Sequence, residues 1–180
     1  MTSPEVTDRT TASRWSPTRI IVAVLVVAMV AMWAYVLYLA IGPGRQPPPD
    51  RLNDPAFATT AQARCEAAHA AVDQLPPARG VADAAARAGI VDDANAEFGA
   101  MLDDLAAILP PGEDGKLVTA WLADWRTYLD DRERYADALR RDPEARLLVT
   151  PKDRDQITEF IDAFTADNRM IACATPLDVG

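Results

Sequence analysis

A run of 22 residues near the start of the sequence, Ile20 to Ile41, contains no charge and no proline. At about 1.5 Å rise per residue, a helix of this length covers roughly 33 Å, enough for a hydrocarbon layer about 30 Å thick. Trp33, Tyr35 and Tyr38 lie in its second half, where amphipathic rings favour a membrane interface. The run therefore predicts one transmembrane helix.

A cleavable signal peptide is the main alternative, since it also begins with basic residues and then turns apolar. Its apolar region has only about 7 to 15 residues and ends in a small-x-small site. The best such site here, Ala40 to Gly42, is followed by Pro43. We therefore expect an uncleaved membrane anchor.

The arginines that flank the run indicate its orientation. Positive charge prefers the cytoplasmic side of a membrane. The flank before the run carries Arg9, Arg14 and Arg19, and the stretch after it carries Arg45 and Arg51. This bias predicts a single-pass protein of the cell membrane with a cytoplasmic N-terminus and an extracytoplasmic C-terminal region.

The cysteine content agrees with export. Cys65 and Cys173 are the only two cysteines, and a lone pair in a small exported domain is most simply a disulfide. Two buried thiols are the alternative.

Acidic side chains dominate the region after the anchor. Residues 42–180 hold 25 acidic and 15 basic side chains, a net charge of −10. Such a charge repels nucleic acid and anionic lipid headgroups, so we expect no nucleic-acid partner.

The chain divides by composition into five parts. Residues 1–19 are polar and too poor in apolar side chains to form a core, which predicts a disordered cytoplasmic tail. Residues 42–53 are rich in proline, which predicts a stiff spacer that would hold the domain off the bilayer. A helical domain follows at 54–175, and 176–180 form a C-terminal tail.

Apolar residues recur at intervals of three and four beyond the spacer, which is typical of amphipathic helices. The first helix is predicted to start with Asp54 as N-cap and Pro55 at its first position. The expected core positions of the first two helices are Phe57, Ala61, Cys65, Ala68, Val72 and Leu75, then Val91, Ala94, Phe98, Met101, Leu105 and Ile108.

Two further helices complete the predicted domain. The third spans about 114–141, and the fourth begins at Thr150-Pro151-Lys152-Asp153, which resembles a capping box with proline at N1. Their expected core positions are Val118, Leu122, Trp125, Leu129, Ala136 and Leu139, then Ile157, Phe160, Ile161, Phe164 and Ile171. The fold class is all-α, a transmembrane helix followed by an up-and-down four-helix bundle.

The sequence has too few serine and histidine residues for most catalytic arrangements. Serine occurs only before the anchor, and His69 is the single histidine, so hydrolytic triads have no basis unless His69 serves Cys65 or a threonine. Cys65 and His69, four apart, could share a helix face as a thiolate-imidazole or weak metal pair, but a structural cysteine and a surface histidine are the simpler interpretation. We therefore expect that this protein is not an enzyme.

Ligand motifs are also missing from the sequence. Neither a GxxxxGK[ST] nor a GxGxxG motif occurs, and Asp-x-Asp occurs only at Asp153 and Asp155, inside an expected helix start. We therefore expect no nucleotide, no other cofactor and no metal. Carboxylate doublets at 92–93, 103–104 and 130–131 would permit a paired-acid hydrolase, although charges on polar helix faces usually serve solvation.

One cluster in the third helix stands above this background. It comprises Trp121, Asp124, Trp125, Tyr128, Asp131, Arg132 and Tyr135. Arg132 occupies a core position, so its guanidinium should be at least half-buried, with its stem on aromatic rings and its head bonded to a carboxylate such as Asp131 or one on the second helix. A structural strut and a recognition site are both open interpretations.

Several of these features together resemble uncharacterised single-pass membrane proteins of high-GC actinobacteria. The shared features are the N-terminal anchor, Cys65 in the first exported helix, the Ala94-Asn95 step, the WxxxW and DRxxYA segments within 121–136, and Asn-x-Met before Cys173. The resemblance covers roughly residues 50–178. It implies location and helical content but no activity.

Three functions remain open at this point. The leading hypothesis is a helical module that binds another protein of the cell envelope. The second is a small-ligand sensor that acts through a membrane partner, since a 19-residue tail is too short for an output domain. The third is a membrane-tethered hydrolase that uses carboxylates or the Cys65-His69 pair.

Overall fold

The computed structural model describes residues 17–41 and 48–179, and the chain separates into two compact units at Pro47 and Pro48. The predicted tail up to residue 16 and the spacer residues 42–47 lie outside the described residues. The first unit holds helix α1, Pro17–Ile41. Its large apolar side chains from Ile20 to Leu39 are exposed, and the helix is long and apolar enough to cross a membrane.

Helix α2, Pro55–Val72, begins as the sequence predicts. The Asp54 carboxylate accepts a hydrogen bond from the Ala56 amide at 2.9 Å, and Pro55 stands where a missing N–H costs nothing. Phe57, Ala61 and Cys65 are buried on one face.

Helix α3, Ala84–Ala106, is capped by Asp83, whose carboxylate accepts from the Ala85 amide. Its stripe from Val91 to Leu105 is buried, which confirms the prediction, but Ile108 lies beyond the helix end and is 42% exposed.

Helix α4, Gly112–Leu139, is the longest of the second unit. A Cβ atom at Gly115 would lie 2.2 Å from the Pro110 carbonyl oxygen, so the turn into α4 requires glycine there. The predicted core positions of α4, Arg132 included, are all buried.

The segment before the last helix differs from its prediction. Pro151–Lys152 (β1) and Asp155–Gln156 (β2) form a small antiparallel hairpin with Asp153 at φ +53°, and helix α5 spans Ile157–Asp167. The capping box fails because the Thr150 hydroxyl donates to Asp131 at 2.7 Å instead of capping a helix.

The predicted fourth helix is also too long at its end. After Asp167 the chain turns through Arg169 at φ +59° and forms a 3-10 turn, Ile171–Cys173 (η1). Ile171 is therefore 62% exposed, whereas Met170 and Cys173 are buried.

Consecutive helices pack against each other, α2 on α3, α3 on α4 and α4 on α5, while η1 packs against α2 and α5. This arrangement confirms the all-α class and agrees in outline with a bundle of packed helices. The core of the second unit contains large side chains from each of its four α-helices, among them Phe57, Phe98, Leu105, Trp125 and Phe164.

Both predicted appendages of the domain take part in its packing. Leu52, assigned to the spacer, is buried, and its amide donates to Asn168 Oδ1 at 2.8 Å. Asp178, assigned to the C-terminal tail, bonds Arg132. The boundaries at 54 and 175 are therefore too narrow, because neither segment shows the helical period by which the domain was delimited.

Candidate functional site

The two cysteines are joined. Cys65 of α2 and Cys173 of η1 form a disulfide with a Cα–Cα distance of 5.1 Å, as the sequence predicts. The sulfur of Cys65 is thus not available to His69, whose ring packs edge-on against Phe98 with centroids 5.2 Å apart. Across residues 17–41 and 48–179, no group of three or more His, Cys, Asp and Glu side chains could hold a metal ion.

Arg132 is the centre of a buried polar network. Its side chain is fully buried, and its Nε–H donates to Asn95 Oδ1 at 2.6 Å. Its two terminal nitrogens donate to the two carboxylate oxygens of Asp178 at 2.6 and 2.7 Å, a bidentate geometry that suits the planar guanidinium. The guanidinium carbon lies 5.5 Å from the Phe98 ring centroid and 5.8 Å from that of Tyr128.

The predicted burial and aromatic packing of Arg132 are confirmed, but its carboxylate partner is not the expected one. Asp131 points elsewhere: it is buried and accepts from the Thr150 amide and hydroxyl, each at 2.7 Å, and from Arg134. It fastens the segment after α4. Asp178 lies 46 residues from Arg132 in sequence, so no helical spacing points to it.

Electrostatics hold the network in its charged form. Burial by itself lowers the pKa of Arg132, but the hydrogen bonds and negative charge of Asp178 outweigh burial and raise it. Burial raises the pKa of Tyr128, and the positive charge of Arg132 offsets part of that rise. The Arg132–Asp178 pair is therefore an ion pair with little net charge.

The predicted recognition cluster does not form one surface. Trp125 and Tyr128 are buried, and they donate to the backbone oxygens of Cys173 at 3.2 Å and Pro176 at 3.4 Å. These bonds attach the C-terminal segment to α4.

The other members of the cluster point to separate places. Trp121 is buried and stacks on Phe164 with ring centroids 5.4 Å apart. Asp124 accepts from the Lys152 ammonium at 2.6 Å. Tyr135 is partly buried and packs on a small second cluster formed by Ala88, Val91, Ala136 and Leu139.

The carboxylate doublets do not converge on one point. Asp92 pairs with Arg140, Asp103 with Arg126 and Asp104 with Arg64, all at partly or largely exposed positions. These pairs join different parts of the surface, and Asp131 is a buried member that has a structural partner.

Concave surface lies beside Asp178. A groove of about 460 Å³ runs between the segment after α2, the first half of α3 and the C-terminal residues. Its apolar lining includes Val72, Leu75, Pro76, Pro77, Ile90, Val91 and Leu177. Leu177 is 88% exposed, so the C-terminal segment leaves a large apolar side chain uncovered at the groove.

A smaller cavity of about 150 Å³ adjoins this groove. Arg79, Arg87 and Tyr135 supply its polar lining together with Asp178, and its wall shares Ala78, Arg79, Val91, Asp178 and Val179 with the groove. Sequence reasoning missed Arg79 and Arg87, since they are eight apart across a loop and the start of a helix.

Comparisons with protein-family models, with curated proteins and with solved structures found no match. The resemblance to single-pass membrane proteins of actinobacteria stays a prediction. The geometry of the groove, the cavity and the buried arginine is therefore the basis for the functional argument.

Proposed function

We propose that this chain is a membrane-anchored, extracytoplasmic helical module that binds another protein of the cell envelope through the groove beside Asp178. The groove is the observation that carries the proposal. Its volume of about 460 Å³ and its apolar lining suit an inserted side chain or short segment. The bundle core itself is filled by large side chains such as Phe98 and Trp125.

Two features support the location. Helix α1 is long and apolar enough to span a membrane, and the arginines before it favour a cytoplasmic N-terminus. The Cys65–Cys173 disulfide suits an oxidising compartment outside the cytoplasm.

A small-ligand sensor is the second candidate. The groove volume falls within the roughly 300–1,000 Å³ range of small-molecule sites, which favours this candidate. The groove lies apart from the α4 aromatics, because Trp121, Trp125 and Tyr128 are packed in the core. We favour a non-catalytic role over a carboxylate hydrolase because the described acid doublets are dispersed.

Protease accessibility tests the location. A protease added to intact spheroplasts should degrade the region from Asp50 to the C-terminus, and lysis should not be required. Protection of that region until lysis would contradict the proposed orientation.

Site-specific crosslinking tests the binding surface. A photoreactive phenylalanine at Leu177 should crosslink a discrete partner in intact membranes, and Ile90→Asp, which places a charge in the groove lining, should abolish that band. The same probe at Leu148, an equally apolar side chain that is 81% exposed, is the matched control. Identical bands from both positions would show that exposure alone, and not the groove, determines capture.

A further inference from the structure

The cavity of about 150 Å³ beside Asp178 has a charge opposite to that of the domain around it. Residues 42–180 carry a net charge of −10, yet two arginines, Arg79 and Arg87, line this one small space. From this arrangement we infer that the cavity is an oxyanion site, which takes a carboxylate or phosphate group between Arg79, Arg87 and the Tyr135 hydroxyl.

The donors that line the cavity have capacity left. Among the described residues, Arg79 makes no ion pair and no hydrogen bond, and the Tyr135 hydroxyl has no hydrogen-bond partner. Arg87 uses one terminal nitrogen, which donates to the Pro143 carbonyl oxygen, while its buried Nε has no partner. Buried donors without acceptors are uncommon in folded proteins, and an oxyanion is the acceptor that a guanidinium binds best.

The acidic groups near the cavity do not cancel its charge. Asp178 also lines it, but both of its carboxylate oxygens are engaged by Arg132, which leaves the pair nearly neutral. Neither Asp73, which lies on the wall of the larger groove, nor Asp83, which caps α3, lines the smaller cavity. The two arginines that remain give the cavity a positive potential, which concentrates anions.

The shared wall of cavity and groove defines the class of ligand further. A carboxylate held by Arg79 could belong to a free small anion, or it could end an apolar chain that lies in the groove along Val91 and Ile90. Both sources use the same chemistry at the arginines. The site does not depend on the proposed protein partner, and its test uses small probes only.

The test titrates three probes into the full chain in a nonionic detergent, at constant ionic strength set by chloride. The probes are inorganic phosphate, acetate and N-acetyl-leucine, and calorimetry gives each affinity. We expect saturable binding of at least one probe. Arg79→Gln should weaken it at least about tenfold, since a hydrogen bond between charged groups is lost. Arg154→Gln, which removes an exposed arginine outside both concavities, should leave the affinity unchanged.

Further variants keep the test decisive. Arg79 is exposed, so Arg79→Gln should not disturb folding, whereas Arg87→Lys keeps the charge and loses the planar geometry and should also weaken binding. N-acetyl-leucine that binds about tenfold tighter than acetate would show an anion carried on an apolar chain, and equal affinities would show a free anion. The inference is overturned if no probe saturates, or if Arg79→Gln and Arg154→Gln bind alike.

Discussion

The pair formed by α3 and α4 and the ends of the second unit are held to the bundle in different ways. Along α3 and α4, rows of apolar side chains such as Val91, Phe98 and Leu122 share the burial, so no single contact dominates. Residues 48–54 and 174–179, near the two ends of the second unit, contain no helix and no strand. Residues 50–54 are fastened by Asp114 and Asn168, and residues 173–178 by the disulfide and a few hydrogen bonds to α4.

The contrast shows where the fold is sensitive. Where burial is spread over many side chains, one truncation leaves most of the contact in place. Where a segment is held by one bidentate ion pair or one disulfide, loss of a few atoms detaches the whole segment from the bundle.

Removal of the Arg132 side chain should give the largest loss. Arg132→Ala leaves the Asp178 carboxylate and Asn95 without their partner, and breaking a buried pair typically costs about 3 to 5 kcal/mol. Denaturant unfolding measures the free energy, with Arg126→Ala as control, since Arg126 is about half exposed in its pair with Asp103 and is expected to cost under about 1 kcal/mol. A loss below about 1 kcal/mol for Arg132→Ala would mean that the Arg132–Asp178 pair contributes little to the stability of the domain.

The same position separates a structural arginine from a recognition site. Arg132→Lys keeps the charge but cannot bind both oxygens of Asp178 in one plane. If Arg132 recognises a partner, this variant should retain much of its stability and lose binding. If it unfolds as easily as the alanine variant, Arg132 is a strut for the C-terminal segment.

Removal of the disulfide should be next in size. Cys65→Ala with Cys173→Ala opens a link across a sequence separation of 108 residues, and losing such a bond typically costs about 2 to 4 kcal/mol. Amide hydrogen exchange should show where the loss falls. Amides of residues 172–175 should exchange faster while those in the middle of α3 stay protected, and uniform acceleration over both would contradict the proposed difference between the two regions.

Asp178→Asn tests the C-terminal attachment from its own side. An amide can accept only one of the two bonds that the carboxylate accepts from Arg132, so we expect a loss of about 1 to 3 kcal/mol. Asp130→Asn, on the exposed face of α4, is the control in the same unfolding assay and should change little. Equal losses in the two variants would mean that Asp178 does not fasten the C-terminal segment to α4.

The features that the sequence predicts correctly are mostly those that follow a periodic pattern of apolar residues. The buried faces of α2, α3 and α4 follow from the 3.6-residue repeat, and the repeat also placed Arg132 inside the core. The disulfide followed from residue count. These features depend on neighbours in sequence or on a pairing with one solution.

The remainder depends on contacts distant in sequence. The motif at Thr150 matched a local capping pattern, yet Asp131 captured its hydroxyl from another element. Asp178, Arg79 and Arg87 carry no periodic signal, so the cavity they line becomes visible only once the bundle has brought the three together. The recognition cluster was predicted because its residues are adjacent on one helix, but their side chains contact different parts of the domain.

The contact of Asp114 with residues 53 and 54, at the start of the second unit, should give the smallest change in stability and the one that depends most on pH. The Asp114 carboxylate, in the first turn of α4, accepts from the Asp54 amide at 3.0 Å, from the Asn53 amide at 3.1 and 3.0 Å, and from the Asn53 side chain at 2.8 Å. The backbone bonds from Asp54 and Asn53 lower the pKa of Asp114. Because the folded pKa lies below the unfolded one, the stabilisation is fully present above about pH 4 and is lost as the pH falls through the folded pKa.

Asp114→Asn should therefore have a lower Tm than the parent chain at pH 7, and the gap should narrow as the pH approaches 3. The narrowing follows because protonated Asp114, like asparagine, no longer attracts the amides of residues 53 and 54 with a full charge. Asp130→Asn, made at an exposed position on the same helix, should show no such gap at either pH. If the Tm difference between Asp114→Asn and the parent stays constant from pH 7 to pH 3, the carboxylate holds the start of the domain by shape and not by charge. The attachment of residues 50–54 would then resemble the apolar α3–α4 contact more than the Arg132–Asp178 ion pair.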